Sequence, residues 1–143
     1  MPDLTTAPNL KAAPSSRRRI SSGSEFERTY SYSRAVVVGS HIMLSGTTGY
    51  DYATSTLPAG AHEQTLQLFT NAATAFAQAG ASLTDVVRVR MYIAGAEHYE
   101  TVMAVFAETF RGIDPACTTV EAGLFDPAII VEMDMDAVSD AGA

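Results

Sequence analysis

The sequence predicts an α+β domain of two layers, one mixed sheet carrying two helices on a single face. Two segments repeat their apolar residues at helical spacing, several others alternate at strand spacing, and the segments interleave as β-β-α-β-α-β-β. Helices with one apolar stripe each bury it most simply against the apolar face of one sheet. With 143 residues, the chain is long enough to build one core without disulfide or metal support.

Residues 1–24 are rich in Pro, Ser, Thr and Ala without apolar periodicity, and read as a flexible basic arm that cannot repay its own ordering entropy. The folded domain is expected over 25–139, followed by a tail at 140–143. Residues 29–38 alternate and then turn apolar, and Gly39-Ser40 separates them from 41–45, which is a hairpin signal. Residues 46–60 are loop-like in their Gly, Thr and Pro content. Over 61–79, Leu66, Phe69, Ala73 and Phe76 fall on a helical stripe, and Gly80 supplies its stop. Residues 86–93 alternate, with Val87, Val89, Met91 and Ile93 expected on one face and Val86, Arg88, Arg90 and Tyr92 on the other. Tyr99, Val102, Met103, Phe106 and Phe110 mark a second helix that ends near Gly112, before the break at Asp114-Pro115. Strands at 117–122 and 129–137 complete the domain, and in the second Val131, Met133, Met135 and Ala137 oppose Glu132, Asp134 and Asp136. The polar sheet face is too mixed to be core, so other subunits are expected to cover it.

Composition narrows the chemistry. Hydrophobic residues make up 47% and charged residues 17%, a lean charge content that also points to an oligomer. Residues 1–25 carry +2 and residues 26–143 carry five arginines against fourteen acids, −9, which together give the net −7. Lys11 is the only lysine, so the folded part has none for a Schiff base or a P-loop. The acidic body argues against nucleic-acid binding. A single cysteine, Cys117, forms no intrachain disulfide and no thiolate zinc site. His41, His62 and His98 have no ligand spacing, so neither metal nor cofactor is expected. No run approaches the ~20 apolar residues of a membrane span, and no apolar stretch follows Arg17-Arg18-Arg19 as a signal would require. A cytoplasmic protein with a small-molecule substrate is the resulting expectation.

Two side chains stand out as candidates for catalysis. Glu132 lies among apolar neighbours, where desolvation raises a carboxyl towards the range useful for acid or base work. It can equally pair with Arg88 or Arg90 on an adjacent strand, and the two roles are compatible. Cys117 follows Pro115-Ala116 at the head of a strand. A lone cysteine is either a small hydrophobe or, beside a cation, a nucleophile.

These pieces resemble the Rid (reactive intermediate deaminase, YjgF-like) family over roughly residues 30–137. The resemblance is carried by Tyr32-Ser33-Arg34-Ala35, Ser45-Gly46, Glu63-Gln64-Thr65 with Asn71, residues 79–87 (AGASLTDVV), Pro115-Ala116 and Val131-Glu132-Met133-Asp134. It implies the YjgF-like, chorismate-mutase-like fold and a homotrimer whose sheets line a barrel, with small-molecule sites in the clefts between subunits. It also implies cofactor-free hydrolysis of imines or enamines. A water near Glu132 attacks the imine carbon, an arginine holds a substrate carboxylate, and Tyr32, Ser45 and Gly46 line the pocket. The chain departs from the family where that arginine belongs, because Cys117 stands in its place. Arg34 occupies a usual glutamine position, Thr119 a usual cysteine and Met103 an asparagine. Arg34 or Arg90 is the candidate replacement cation, with Thr119 beside Cys117 in the pocket. The alternatives are a different reaction that uses Cys117, ligand binding without catalysis, and ribonuclease activity, against which the acidic body counts.

Overall fold

The computed structural model describes residues 16–139. Residues 1–15 of the expected arm, including Lys11, and the tail at 140–143 lie outside the described residues. The elements are β1 (Arg18–Ile20), α1 (Glu25–Tyr30), β2 (Ala35–Val38), β3 (His41–Thr48), α2 (Ala61–Gln78), β4 (Val86–Ile93), α3 (Tyr99–Thr109), β5 (Ala116–Glu121) and β6 (Val131–Val138). Six strands form one sheet in the order β1-β2-β3-β6-β4-β5. The β4–β5 pair is parallel and the remaining pairs are antiparallel, so the sheet is mixed and the domain is α+β as expected.

The parallel pair follows from chain length. Residues 94–115 run from the end of β4 through α3 back to the start of β5, a crossover long enough to return the chain in the same direction. β3 and β6 flank the sheet centre, and α2 packs on both. Ile42, Leu44, Val89, Met91, Val131, Met133 and Met135 meet Leu68, Phe69, Ala72 and Phe76 of α2 and Val102 and Phe106 of α3 in one buried cluster. Phe69 and Phe110 pack edge to face, with ring centroids 5.4 Å apart.

Several expectations shift by a residue or a turn. Leu66 was expected on the apolar stripe of α2 but is exposed, and Ala73 is only half-buried. The stripe runs instead through Ala61, Thr65, Leu68, Ala72, Ala75 and Phe76, because buried alanines let the helix lie close to the sheet and carry the contact that larger side chains advertise. Tyr99 likewise opens α3 on its exposed side, while Val102, Val105 and Phe106 are buried. Val86 is buried and Val87 exposed, the reverse of the strict alternation. The register of β4 on β6 is irregular between Val86 and Arg88, and such a break turns the preceding side chains over.

The largest difference is at the start of the domain. Arg18–Ile20 lie inside the expected arm, yet they pair antiparallel with β2 through Ile20↔Ala35 and Arg18↔Val37. Three residues are too few to show a period, and their order comes from the neighbouring strand. Arg18 also donates to the carbonyls of Gln78 (3.2 Å) and Ala79 (3.1 Å) at the end of α2, where a cation offsets the negative end of the helix dipole. Residues 25–30, partly read as strand, form α1 instead. Its Ser24 side chain accepts from the Phe26 amide at 3.2 Å, and Ser31 closes it in a left-handed conformation.

Candidate active site

The site grows from an irregularity in the sheet centre. β3 pairs with β6 through Leu44↔Met135 and then Thr47↔Met133, so Ser45 and Gly46 together face Asp134. This is a bulge, a device that re-aims side chains and bends the strand. On β6 the next residue along is Glu132, paired with Thr48 on one side and Tyr92 on the other. A Cβ at Gly46 would overlap the Glu132 Oε1 atom, so a side chain here would displace the carboxyl. The glycine thereby lets the carboxyl lie flat on the backbone.

Glu132 is half-buried. Burial pushes its carboxyl above the ordinary carboxylate range, Arg34 pulls it back down, and Asp134 pushes it up again, in that order of size. Of the two readings of Glu132, the ion pair with Arg88 or Arg90 is not formed among the described residues. Arg90 binds Asp134 and reaches Asp136 at 3.3 Å, and Tyr92 donates its hydroxyl to Asp134 at 3.0 Å. Arg90 sits directly opposite Asp134 in the register, so the closer carboxylates take its charge. The Tyr92 hydroxyl holds its proton more tightly because it donates to Asp134, and burial adds to the effect.

Arg34 is buried, at 8% exposure. Its backbone is fixed by the sheet, with the amide donating to Ile20 at 2.8 Å and the carbonyl accepting from Ser45 at 2.9 Å. The guanidinium carbon lies 6.0 Å from the Tyr32 ring centroid. Ser45 donates its hydroxyl to the Ser33 carbonyl at 2.6 Å. Tyr32, Ser33 and Ser45 line an open cavity of about 600 Å³ together with Arg17, Arg19 and Glu27. Glu27 is buried but satisfied, accepting from the Ser22 amide and the Ser21 hydroxyl at 3.1 Å each and from the Ser22 hydroxyl. This anchors α1 beside Tyr32.

Of the expected site residues, the fold therefore gathers Glu132, Gly46, Ser45, Arg34 and Tyr32 around the bulge. It does not bring Cys117 or Thr119 to them within one chain. The register pairs Cys117 with Val89 and Thr119 with Met91, whereas Glu132 pairs with Tyr92. Side chains alternate across a sheet, so Cys117 and Thr119 project on the helix side of edge strand β5 and Glu132 on the open side. Cys117 is exposed, with its Sγ 3.6 Å from the Thr119 hydroxyl. His62 lies beside Glu63 and His98 beside Glu97. Among the described residues no three His, Cys, Asp or Glu side chains converge as a metal would require, and no helix is long and apolar enough to cross a membrane.

Gln64, which the sequence offers only as part of the stretch Glu63-Gln64-Thr65, is buried in α2 and ties two loops together. Its amide donates to the carbonyls of Pro58 and Ala128 at 3.0 Å each, and its oxygen accepts from the Ile130 amide at 2.9 Å. A polar residue on an otherwise apolar helix face is the signal that marks it.

A mixed sheet under two helices, with a half-buried glutamate set into a central bulge and a buried arginine close by, defines a small α+β domain of the Rid type. The chain belongs to that family. Residues 22–139 match the family model described as Endoribonuclease L-PSP. A Mycobacterium tuberculosis member of the YjgF/YER057c/UK114 family is 38% identical with a TM-score of 0.78, the match covering 87% of this chain and all of that one. A RutC family protein of Pyrococcus abyssi is 31% identical over 76% of this chain and 87% of its own. A cattle protein named 2-iminobutanoate/2-iminopropanoate deaminase is 32% identical over 75% of this chain and 79% of its own.

Proposed function

We propose that the protein hydrolyses an imine, or an enamine by way of its imine tautomer, to a carbonyl compound and ammonia. The observation that carries this reading is the Glu132 carboxyl, seated on Gly46 with a proton affinity raised by burial. A base tuned upwards accepts a proton from water more readily than an ordinary carboxylate does. Relatives from cattle and from Dermatophagoides farinae carry the name of an imine deaminase, which supports the same reaction class.

In the proposed cycle, the Glu132 carboxylate takes a proton from a water while the water oxygen forms a bond to the imine carbon. The carbon–nitrogen π pair moves to nitrogen, which takes a proton from solvent, repaid by the hydroxyl proton lost in the last step. Glu132 then returns its proton to the nitrogen, the carbon–nitrogen bond breaks, ammonia leaves, and the hydroxyl proton is lost as the carbonyl forms. One water is consumed for each ammonia released, and no cofactor enters.

The site is proposed to lie between copies of this chain in a homotrimer. Met43, Val38 and Val120 are exposed apolar residues of the sheet, and a neighbouring copy that covers the open face removes them from water. Such packing lets edge strand β5 of one copy contribute Cys117 and Thr119 to the Glu132 cleft of another. The test is to generate an imine in situ and follow carbonyl product and ammonia with and without the protein. Acceleration with equal yields of both products is expected, and decay of the imine at the uncatalysed rate contradicts the reading.

A further inference from the structure

We propose that Arg34 is the anion-binding group of a small pocket between the start of β2 and the middle of α2, and that this pocket takes a small monocarboxylate. Arg34 is more than nine-tenths buried, and its Nε atom is wholly enclosed without a hydrogen-bond partner. Its guanidinium makes no ion pair and no hydrogen bond among the described residues. Arginine stays protonated at any pH a folded protein meets. A buried cation with unfilled donors is costly unless an acceptor completes it.

The surroundings specify the acceptor. Arg34 opens on a pocket of about 210 Å³ whose polar wall is Ser22, Tyr52, Asn71, Thr74 and Gln78. No carboxylate lines it, so the guanidinium is its one formal charge. Two of the neighbouring donors, on Asn71 and Thr74, are already committed. The Asn71 amide donates to the Thr48 carbonyl at 3.0 Å and the Tyr50 carbonyl at 2.8 Å, and the Thr74 hydroxyl donates to Thr70 at 3.0 Å. Glu27 is the nearby acid, and Ser21 and Ser22 occupy its oxygens. Glu132 forms no ion pair with Arg34 among the described residues, although the Arg34 charge favours its ionisation. A planar group with two oxygens matches the guanidinium fork. One cation without a second favours a single negative charge over a phosphate dianion, and the volume suits a molecule of a few heavy atoms.

Two sources share this chemistry, the carboxylate of the substrate itself or a separate free carboxylate. The first deepens the hydrolase reading and rests on it, whereas carboxylate binding does not. The test is calorimetric titration of the full chain with pyruvate and with its neutral amide, pyruvamide. The parent is expected to bind pyruvate and to discriminate against the amide. Arg34→Gln is expected to weaken pyruvate by about tenfold or more, and Arg34→Lys to recover part of the loss. Thr74→Glu, on the exposed side of α2, supplies an internal carboxylate at the pocket wall. It should abolish binding while raising the melting temperature. Equal pyruvate affinity in the parent and Arg34→Gln overturns the proposal, as does a parent that binds pyruvate and pyruvamide alike or neither. Competitive inhibition of imine hydrolysis by pyruvate identifies the substrate's own carboxylate, and noncompetitive inhibition a separate occupant. A parent that binds pyruvate yet leaves the imine decaying at its uncatalysed rate removes the hydrolase reading and leaves the anion site standing.

Discussion

At the scale of single residues, Glu132 ties stability to pH in a direction opposite to most paired carboxylates. Its folded-state affinity for a proton is raised by burial, so the native state binds more protons than the unfolded chain between the two titrations. Stability therefore falls as pH rises through that window. Glu132→Gln removes the charge that burial opposes. The variant is expected to match the parent in acid, below the ordinary glutamate value of about 4.3, and to melt higher near neutral pH. Melting curves across pH check this, and a stability difference that shrinks as pH rises contradicts it. Arg34 belongs to the same balance, because its charge is the main influence drawing Glu132 back towards ionisation.

At the scale of elements, α2 does more than supply an apolar stripe. Gln64 uses three hydrogen bonds to hold the loop before α2 and the segment before β6. Gln64→Leu keeps the volume but takes the partner from the half-buried Ile130 amide and from the Pro58 and Ala128 carbonyls, at an expected cost of about 2 kcal/mol. Denaturant unfolding measures it, and a loss below about 1 kcal/mol shows that water takes over the contacts. Strands and helices with strong periods were legible from the chain alone. β4 runs over residues 86–93 as its alternation predicted, and β6 buries Val131, Met133, Met135 and Ala137 as expected. β1 and α1 were not legible, since three residues carry no period and α1 rests on Ser24, Ser31 and the Glu27 anchor rather than on an apolar stripe. The bulge at Ser45-Gly46 was equally hidden, because only the partner strand reveals that two residues face one. Residue identity singled out Glu132, Arg34 and Cys117, yet the side of the sheet on which each projects depends on register. That is why Cys117 and Glu132, adjacent in motif reasoning, lie on opposite faces.

At the scale of the whole molecule, the proposed homotrimer covers the mixed, partly apolar sheet face with copies of the same chain. Light scattering of the purified protein is expected to give three times the chain mass of 15.1 kDa. A charge placed at Val120, exposed on edge strand β5, is expected to lower that mass and the imine turnover together. A monomeric parent with full activity refutes the shared cleft. The central claim is that the Glu132 carboxylate activates water against an imine, and the most direct measurement is turnover of an imine by Glu132→Gln beside the parent. Loss of general-base help costs a factor of about 10²–10⁴. A drop of that size with assembly intact is expected, and a variant that hydrolyses the imine at the parental rate shows that Glu132 is not the base.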